Sequence, residues 1–167
     1  DIRLGLYECP YPYKRVMSDR ITEWCAGSGR FYFLKDTSCD MDSIGRKLAI
    51  CRGSNLKLYN ANTTTLLPSL RSGAAGYSGV MANMQCRLYG RLVRDYERQD
   101  MGILAGILSL CALIERQWYP TNAKYYLQQE GLPINTICRV QDAASLSETW
   151  KEEIKILRGF TQRLEKE

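Results

Sequence analysis

Over its first hundred residues this chain alternates short apolar runs with capped, amphipathic segments, four times in succession. Ile2–Tyr7 (IRLGLY), Phe31–Lys35 (FYFLK), Leu56–Asn60 (LKLYN) and Gly76–Met81 (GYSGVM) read as strands. Ser18 caps a helix over Asp19–Ala26, closed by Gly27 and Gly29. Asp40 caps a second helix, with Met41, Ile44, Leu48 and Cys51 on one face and Gly53 as the stop. A third helix carries Leu66, Leu67 and Leu70 and ends at Gly73, and a fourth runs from about Gln85 to Arg98. Four β-then-α units in a row predict an α/β fold of parallel strands joined by right-handed crossovers. Two architectures answer to that pattern: a four-stranded open sheet, or half of an eight-stranded (β/α)8 barrel. A complete barrel takes about 250 residues. The barrel reading therefore expects a further stretch before Asp1, where the chain opens directly on a strand pattern.

From Asp100 onward the strand pattern stops. Met101–Gln117 predicts a largely buried helix, and Pro120–Gln129 another, with Gly131 just past its end. Ser145-Leu146-Ser147-Glu148 has the spacing of a capping box. It opens a last helix with Leu146, Trp150, Ile154, Leu157 and Leu164 along one stripe. The expected organisation is thus residues 1–99 as βα units and residues 100–167 as a helical extension. The longest apolar run, Met101–Ile114, has 14 residues, short of the ~20 a membrane span needs. It is either a helix packed within its own subunit or a contact between subunits.

Composition narrows the chemistry. The 167 residues include no histidine. A Ser-His-Asp or Cys-His nucleophile and a His-ligated metal are excluded, so acid–base work falls to Lys, Tyr, Cys, Asp or Glu. Seven cysteines lie 12 to 35 residues apart with no C-x-x-C pair, which fits neither a zinc site nor a dense disulfide framework. They read as small apolar residues of a reducing, cytoplasmic protein. The net charge of +5 is scattered, with no run of five Lys or Arg, and carries no nucleic-acid signature.

In parallel βα architectures functional groups sit at the C-terminal ends of the strands. Those ends hold Tyr7, Lys35 with Asp36 and Thr37, Asn60, and Ser78 with Gly79. Lys35 closes an apolar run. It either snorkels to solvent or points into a poorly hydrated pocket, where desolvation favours the neutral, nucleophilic amine. Tyr7 ends the neighbouring strand, about 4.8 Å away. It is either a rim tyrosine, one of eleven in the chain, or a phenol that moves protons for a substrate held on Lys35.

These residues carry a resemblance. Tyr7-Glu8-Cys9-Pro10 is similar to the Tyr-x-x-Pro motif that ends the fifth strand in the dihydrodipicolinate synthase/N-acetylneuraminate lyase family. Phe33-Leu34-Lys35-Asp36-Thr37-Ser38, 28 residues on, resembles that family's sixth strand with its Schiff-base lysine. Leu67–Ala74 and Gly76–Asn83 resemble its seventh helix and eighth strand, and Pro120, Lys124 and Gly131 are spaced as in its C-terminal helices.

The resemblance implies strands five to eight of a TIM barrel followed by a C-terminal helical extension, with strands one to four absent. It implies a class I, Schiff-base lyase or synthase acting on pyruvate or another 2-oxo acid. Lys35 is the expected nucleophile and Tyr7 the proton donor and acceptor. Thr37, Ser78 and Asn60 are the expected substrate contacts. Thr37 stands where sialic-acid-type members touch the open-chain sugar acid; Asn60 stands where the family commonly has glycine. Pro12 occupies the place of an arginine that true dihydrodipicolinate synthases use for their aldehyde, which argues against lysine biosynthesis. Lys14 or Arg15 is a substitute cation on this reading. Neither metal nor organic cofactor is expected. The expected partners are the missing N-terminal half-barrel and further copies of the chain, with no nucleic acid or membrane. Aldol cleavage, condensation and sugar-acid dehydration all stay open. So does a non-catalytic half-barrel that only folds and self-associates.

Overall fold

The strand alternation is present in a single parallel sheet. The computed structural model describes residues 2–166, so the abrupt start at Asp1 and the last residue, Glu167, lie outside the described residues. Strands β1 (Leu4–Tyr7), β2 (Phe31–Asp36), β3 (Lys57–Asn60) and β4 (Gly76–Tyr77) lie in the order β1-β2-β3-β4. All neighbours are parallel, and the register sets Tyr7 beside Lys35, Lys35 beside Tyr59, and Asp36 beside Asn60.

The helices between strands begin where the caps predict. In α1 (Asp19–Gly27) the Ile21 amide donates to Ser18 Oγ, and in α2 (Met41–Cys51) the Asp42 amide donates to an Asp40 carboxylate oxygen. Gly53 follows α2 at φ +78°, a conformation in which a side chain is strained. α3 spans Leu66–Arg71, α4 Cys86–Asp95, α5 Met101–Cys111, α6 Thr121–Gln129 and α7 Glu148–Leu164.

The chain divides into two compact units. The first comprises Asp1–Gly79 with Leu92–Gly106, the second Val80–Arg91 with Ile107–Glu167. Each unit takes two separate stretches of the chain. In the first unit, Leu34 of β2 and Leu58 of β3 pack with Cys25 of α1 and Ile44 and Cys51 of α2. Removing side chains of this size from water contributes about 1.5–3 kcal/mol each. Period-2 alternation sends Leu34 and Leu58 to this helix-covered side. Phe33 and Tyr59 stack on each other, ring centroids 4.6 Å apart.

In the second unit Tyr126 of α6 and Ile154 and Leu157 of α7 are buried. Gln85 donates from Nε2 to Thr161 Oγ1 at 2.9 Å within it.

Three local expectations are corrected. The strand expected over Gly76–Met81 is only Gly76–Tyr77, and the chain turns into a 3-10 helix at Val80–Asn83. The turn brings Gly79 so close to Tyr77 and Ala61 that a Cβ there would lie 2.1 Å from the tyrosine oxygen. The helix expected over Met101–Gln117 ends at Cys111 and tightens into a 3-10 helix, Ala112–Arg116, with Trp118 at φ +56° beyond it. It is buried on one side only: Met101, Leu104 and Leu108 are inside, whereas Ile103 and Leu110 are each more than 70% exposed (72% and 71%). The last helix starts from Ser147, whose hydroxyl accepts from the Trp150 amide. Ser145 belongs to a preceding 3-10 turn and bonds Asp142, so the capping box from Ser145 does not form.

Among the described residues no single helix is long and apolar enough to cross a membrane. Nor does any group of three Cys, Asp or Glu lie close enough together to hold a metal ion.

Candidate active site

The parallel register places the two expected reacting groups side by side. Tyr7 and Lys35 end adjacent strands at the same level of the sheet. The Lys35 ammonium lies 4.4 Å from the centroid of the Tyr7 ring. Lys35 is half-buried rather than sealed in a dry pocket, and Tyr7 is exposed. A cation over a phenol face at a partly exposed position gains about 0.5–1 kcal/mol, enough to favour one arrangement of a flexible lysine.

The backbone ladder continues past the strand ends and stiffens this rim. The Glu8 amide donates to the Lys35 carbonyl (3.2 Å), Ala61 to Asp36 (2.9 Å) and Ser78 to Asn60 (2.8 Å). The residues that follow β1, β3 and β4 are therefore held by carbonyls at the end of the neighbouring strand.

Of the expected substrate contacts, Ser78, to which the resemblance assigns a backbone contact with the keto acid, is half-buried, and its amide is committed to the Asn60 carbonyl. Thr37 is buried, its amide donating to the Glu8 carboxylate (2.9 Å) and its hydroxyl to the Glu8 carbonyl (2.6 Å). Asn60 is fully buried, donating from Nδ2 to Thr65 Oγ1 and Ser69 Oγ and accepting from the Asn62 amide at Oδ1. Both were expected to touch substrate. Both instead spend their hydrogen-bonding capacity on loop geometry: Asn60 is in register with Asp36 and so faces away from Lys35, whereas Thr37 lies past the end of β2 and is drawn to Glu8. Lys14, one of the two substitute cations, reaches across the rim and donates to the Ser38 carbonyl at 3.2 Å.

Directly behind the pair lies a cluster that pattern reading passed over. Lys47 of α2, only 1% exposed, donates to Glu8 Oε1 and Asp36 Oδ2, each at 2.5 Å. The other contacts of the carboxylates are also filled. Glu8 accepts from the Met17 and Thr37 amides, and Asp36 from the Ser38 amide and hydroxyl. A signal for it exists in the sequence. Lys47 follows Ile44 by three residues and precedes Cys51 by four, which puts a cation on the buried stripe of α2. A buried cation needs buried carboxylates.

The parallel α/β sheet is of the kind found in TIM-barrel lyases and synthases. The chain belongs to the Dihydrodipicolinate synthetase family, whose match covers residues 14–157. None of the curated proteins searched matches the sequence.

Solved structures of the same fold include the dihydrodipicolinate synthase of Thermotoga maritima, at 17% identity and a TM-score of 0.81 over 97% of this chain and 57% of that one. The chloride-inhibited dihydrodipicolinate synthase of Acinetobacter baumannii, complexed with pyruvate, is 18% identical, with a TM-score of 0.81 over 96% and 55%. The N-acetylneuraminate lyase of Fusobacterium nucleatum, also complexed with pyruvate, is 17% identical, with a TM-score of 0.78 over 95% and 54%. The chain thus spans little more than half the length of these structures.

Proposed function

We propose that this chain supplies the reacting lysine and tyrosine of a class I aldolase-type lyase or synthase whose substrate is pyruvate or another 2-oxo acid. The observation that carries the reading is the juxtaposition of Tyr7 and Lys35 at the ends of adjacent parallel strands. Pyruvate in the A. baumannii and F. nucleatum structures supports the choice of substrate class.

In this mechanism Lys35, as the free amine, attacks the ketone carbon to give a carbinolamine. Tyr7 protonates the departing hydroxyl, water leaves, and a cationic imine forms. The imine accepts the electron pair released when the carbon–carbon bond breaks, giving an enamine; condensation runs the same steps in reverse. Orientation of the reacting atoms and a covalent imine suffice, with no cofactor required. Ser78 and Lys14 are the rim groups placed to touch substrate, while Thr37 and Asn60 shape the loops that carry them.

The same reading takes residues 1–99 as strands five to eight of the barrel with their helices, and 100–167 as its helical extension. The strands preceding them complete the site, and the chain alone is inactive. Exposed Ile103 and Leu110 on α5 support a contact between copies. Seven free cysteines support a reducing, cytoplasmic setting.

Borohydride reduction of the complete protein in the presence of pyruvate tests the assignment. Peptide mapping is expected to find the reduced adduct on Lys35. Its absence, or an adduct on another lysine, overturns the reading.

A second reading, a non-catalytic assembly piece, is favoured by the edge positions of β1 and β4, since the outer edge of a sheet invites further strands. On either reading this chain by itself self-associates, and a monomer near 19.1 kDa in solution contradicts that.

A further inference from the structure

Glu8 and Asp36 follow Tyr7 and Lys35 in the chain. Strand alternation sends these carboxylates to the helix side of the sheet. There a single ammonium, from Lys47, joins them. Three formal charges are taken almost wholly out of water. Replacing a buried ion cluster by apolar side chains of similar volume is commonly neutral or stabilising. Stability is therefore a poor reason for its presence, and its geometry offers a better one. Lys47 belongs to neither strand, yet it grips both of them immediately beyond Tyr7 and Lys35. Every other hydrogen bond of the two carboxylates goes to the loops that follow those strands.

We propose that Lys47 is a positioning residue for the reaction. By tying Glu8 to Asp36 from behind the sheet, it fixes the separation and level of Tyr7 and Lys35. The consequence for the reaction rests on the Schiff-base reading above; the consequence for geometry does not. The Tyr7 phenol must meet the hydroxyl that leaves the Lys35 carbinolamine. A displacement of about 1 Å between groups so placed costs up to a hundredfold in rate.

The test cuts one arm of the tie and leaves the charges balanced. Asp36→Asn keeps Oδ1 for Ser38 and turns an amide NH2 on Lys47, leaving the Lys47–Glu8 pair intact. Two readouts follow in the complete protein. The first uses no substrate: the Tyr7 ring current shifts the Lys35 ε-methylene protons upfield in the NMR spectrum, with the resonance assigned by its loss in Lys35→Arg. The shift is expected to fall by about half or more in Asp36→Asn. The second is the rate of borohydride trapping on Lys35 at saturating pyruvate, expected to drop about tenfold or more with half-saturation changed less than about twofold.

A folded Asp36→Asn protein that keeps the full ring-current shift, or that traps pyruvate at the wild-type rate, overturns the proposal. If Asp36→Asn does not fold, Glu8→Gln cuts the other arm and is judged by the same two readouts. If the wild-type protein forms no adduct, the Schiff-base assignment fails while the ring-current shift still decides the positioning role.

Discussion

The Lys35 ammonium rests 4.4 Å above the centroid of the Tyr7 ring, across one step of a parallel ladder. The contact orients the lysine with its amine beside the phenol rather than out in solvent. In the proposed mechanism the two parts of Tyr7 have separate roles: the ring face holds the lysine and the hydroxyl carries the proton.

Tyr7→Phe separates those roles. The ring and its hold on Lys35 remain, so the pyruvate adduct at Lys35 is still trapped by borohydride in the complete protein. Turnover falls by about 10²–10⁴-fold, the usual worth of a placed acid–base group. Steady-state kinetics beside adduct mass spectrometry checks this. Wild-type turnover in the variant removes Tyr7 from the mechanism.

Lys47→Met leaves two buried carboxylates without their cation. Breaking a buried pair from one side costs about 3–5 kcal/mol. Urea unfolding should show that loss, and adding Glu8→Gln with Asp36→Asn to the same variant should restore most of it. A single variant within about 1 kcal/mol of wild type contradicts the burial of this cluster.

Gly79→Ala tests the turn that ends β4. An added Cβ meets the Tyr77 oxygen at 2.1 Å and the Ala61 carbonyl at 2.4 Å, and the second of these is backbone that cannot swing aside. Overpacking of this kind costs about 1–3 kcal/mol. Thermal unfolding is expected to show a lowered Tm. An unchanged Tm means that the turn relaxes freely.

Tyr126 supplies a pH dependence. Burial, the largest cause, pushes its phenol from an ordinary value of 10.0 up to about 12, against a hydrogen bond with Thr161 that pulls it down. The folded state therefore favours the neutral phenol. Its contribution to stability is complete below pH 10 and is lost as the pH rises towards about 12. Denaturant titrations across that window should show a smaller alkaline loss in Tyr126→Phe than in the wild type. Equal slopes exclude the assignment.

Local patterns made most of the elements readable in advance. Ser18, Asp40 and Gly53 act through neighbours a few residues away, and period-2 alternation along Phe33–Asp36 assigns its faces without tertiary information. Tyr7 and Lys35 came from strand-end position together with a family motif, and parallel register brings such ends together. The features that were missed depend on distant partners. Lys47 reaches Glu8 across 39 residues and Asp36 across 11, on two different strands. Gly79 is fixed by a close approach to Ala61, which no run of neighbouring residues announces. Motif position identifies the place of Thr37 and Asn60 in the chain but not the partners that take up their hydrogen bonds, Glu8 for the first and Thr65, Ser69 and Asn62 for the second. Ser145 lost the cap to Ser147 because its hydroxyl is drawn back to Asp142.

The hydrogen bonds from Glu8, Ala61 and Ser78 to the neighbouring strand bear on what the loops can change. The ladder extends one residue beyond β1, β3 and β4, and Glu8 holds Thr37 after β2, so the frame under Tyr7 and Lys35 is complete before the connecting loops begin. Insertions or replacements in the 10–16 and 62–65 stretches reshape the rim of the sheet and leave in place the register that sets the Lys35 amine against the Tyr7 ring.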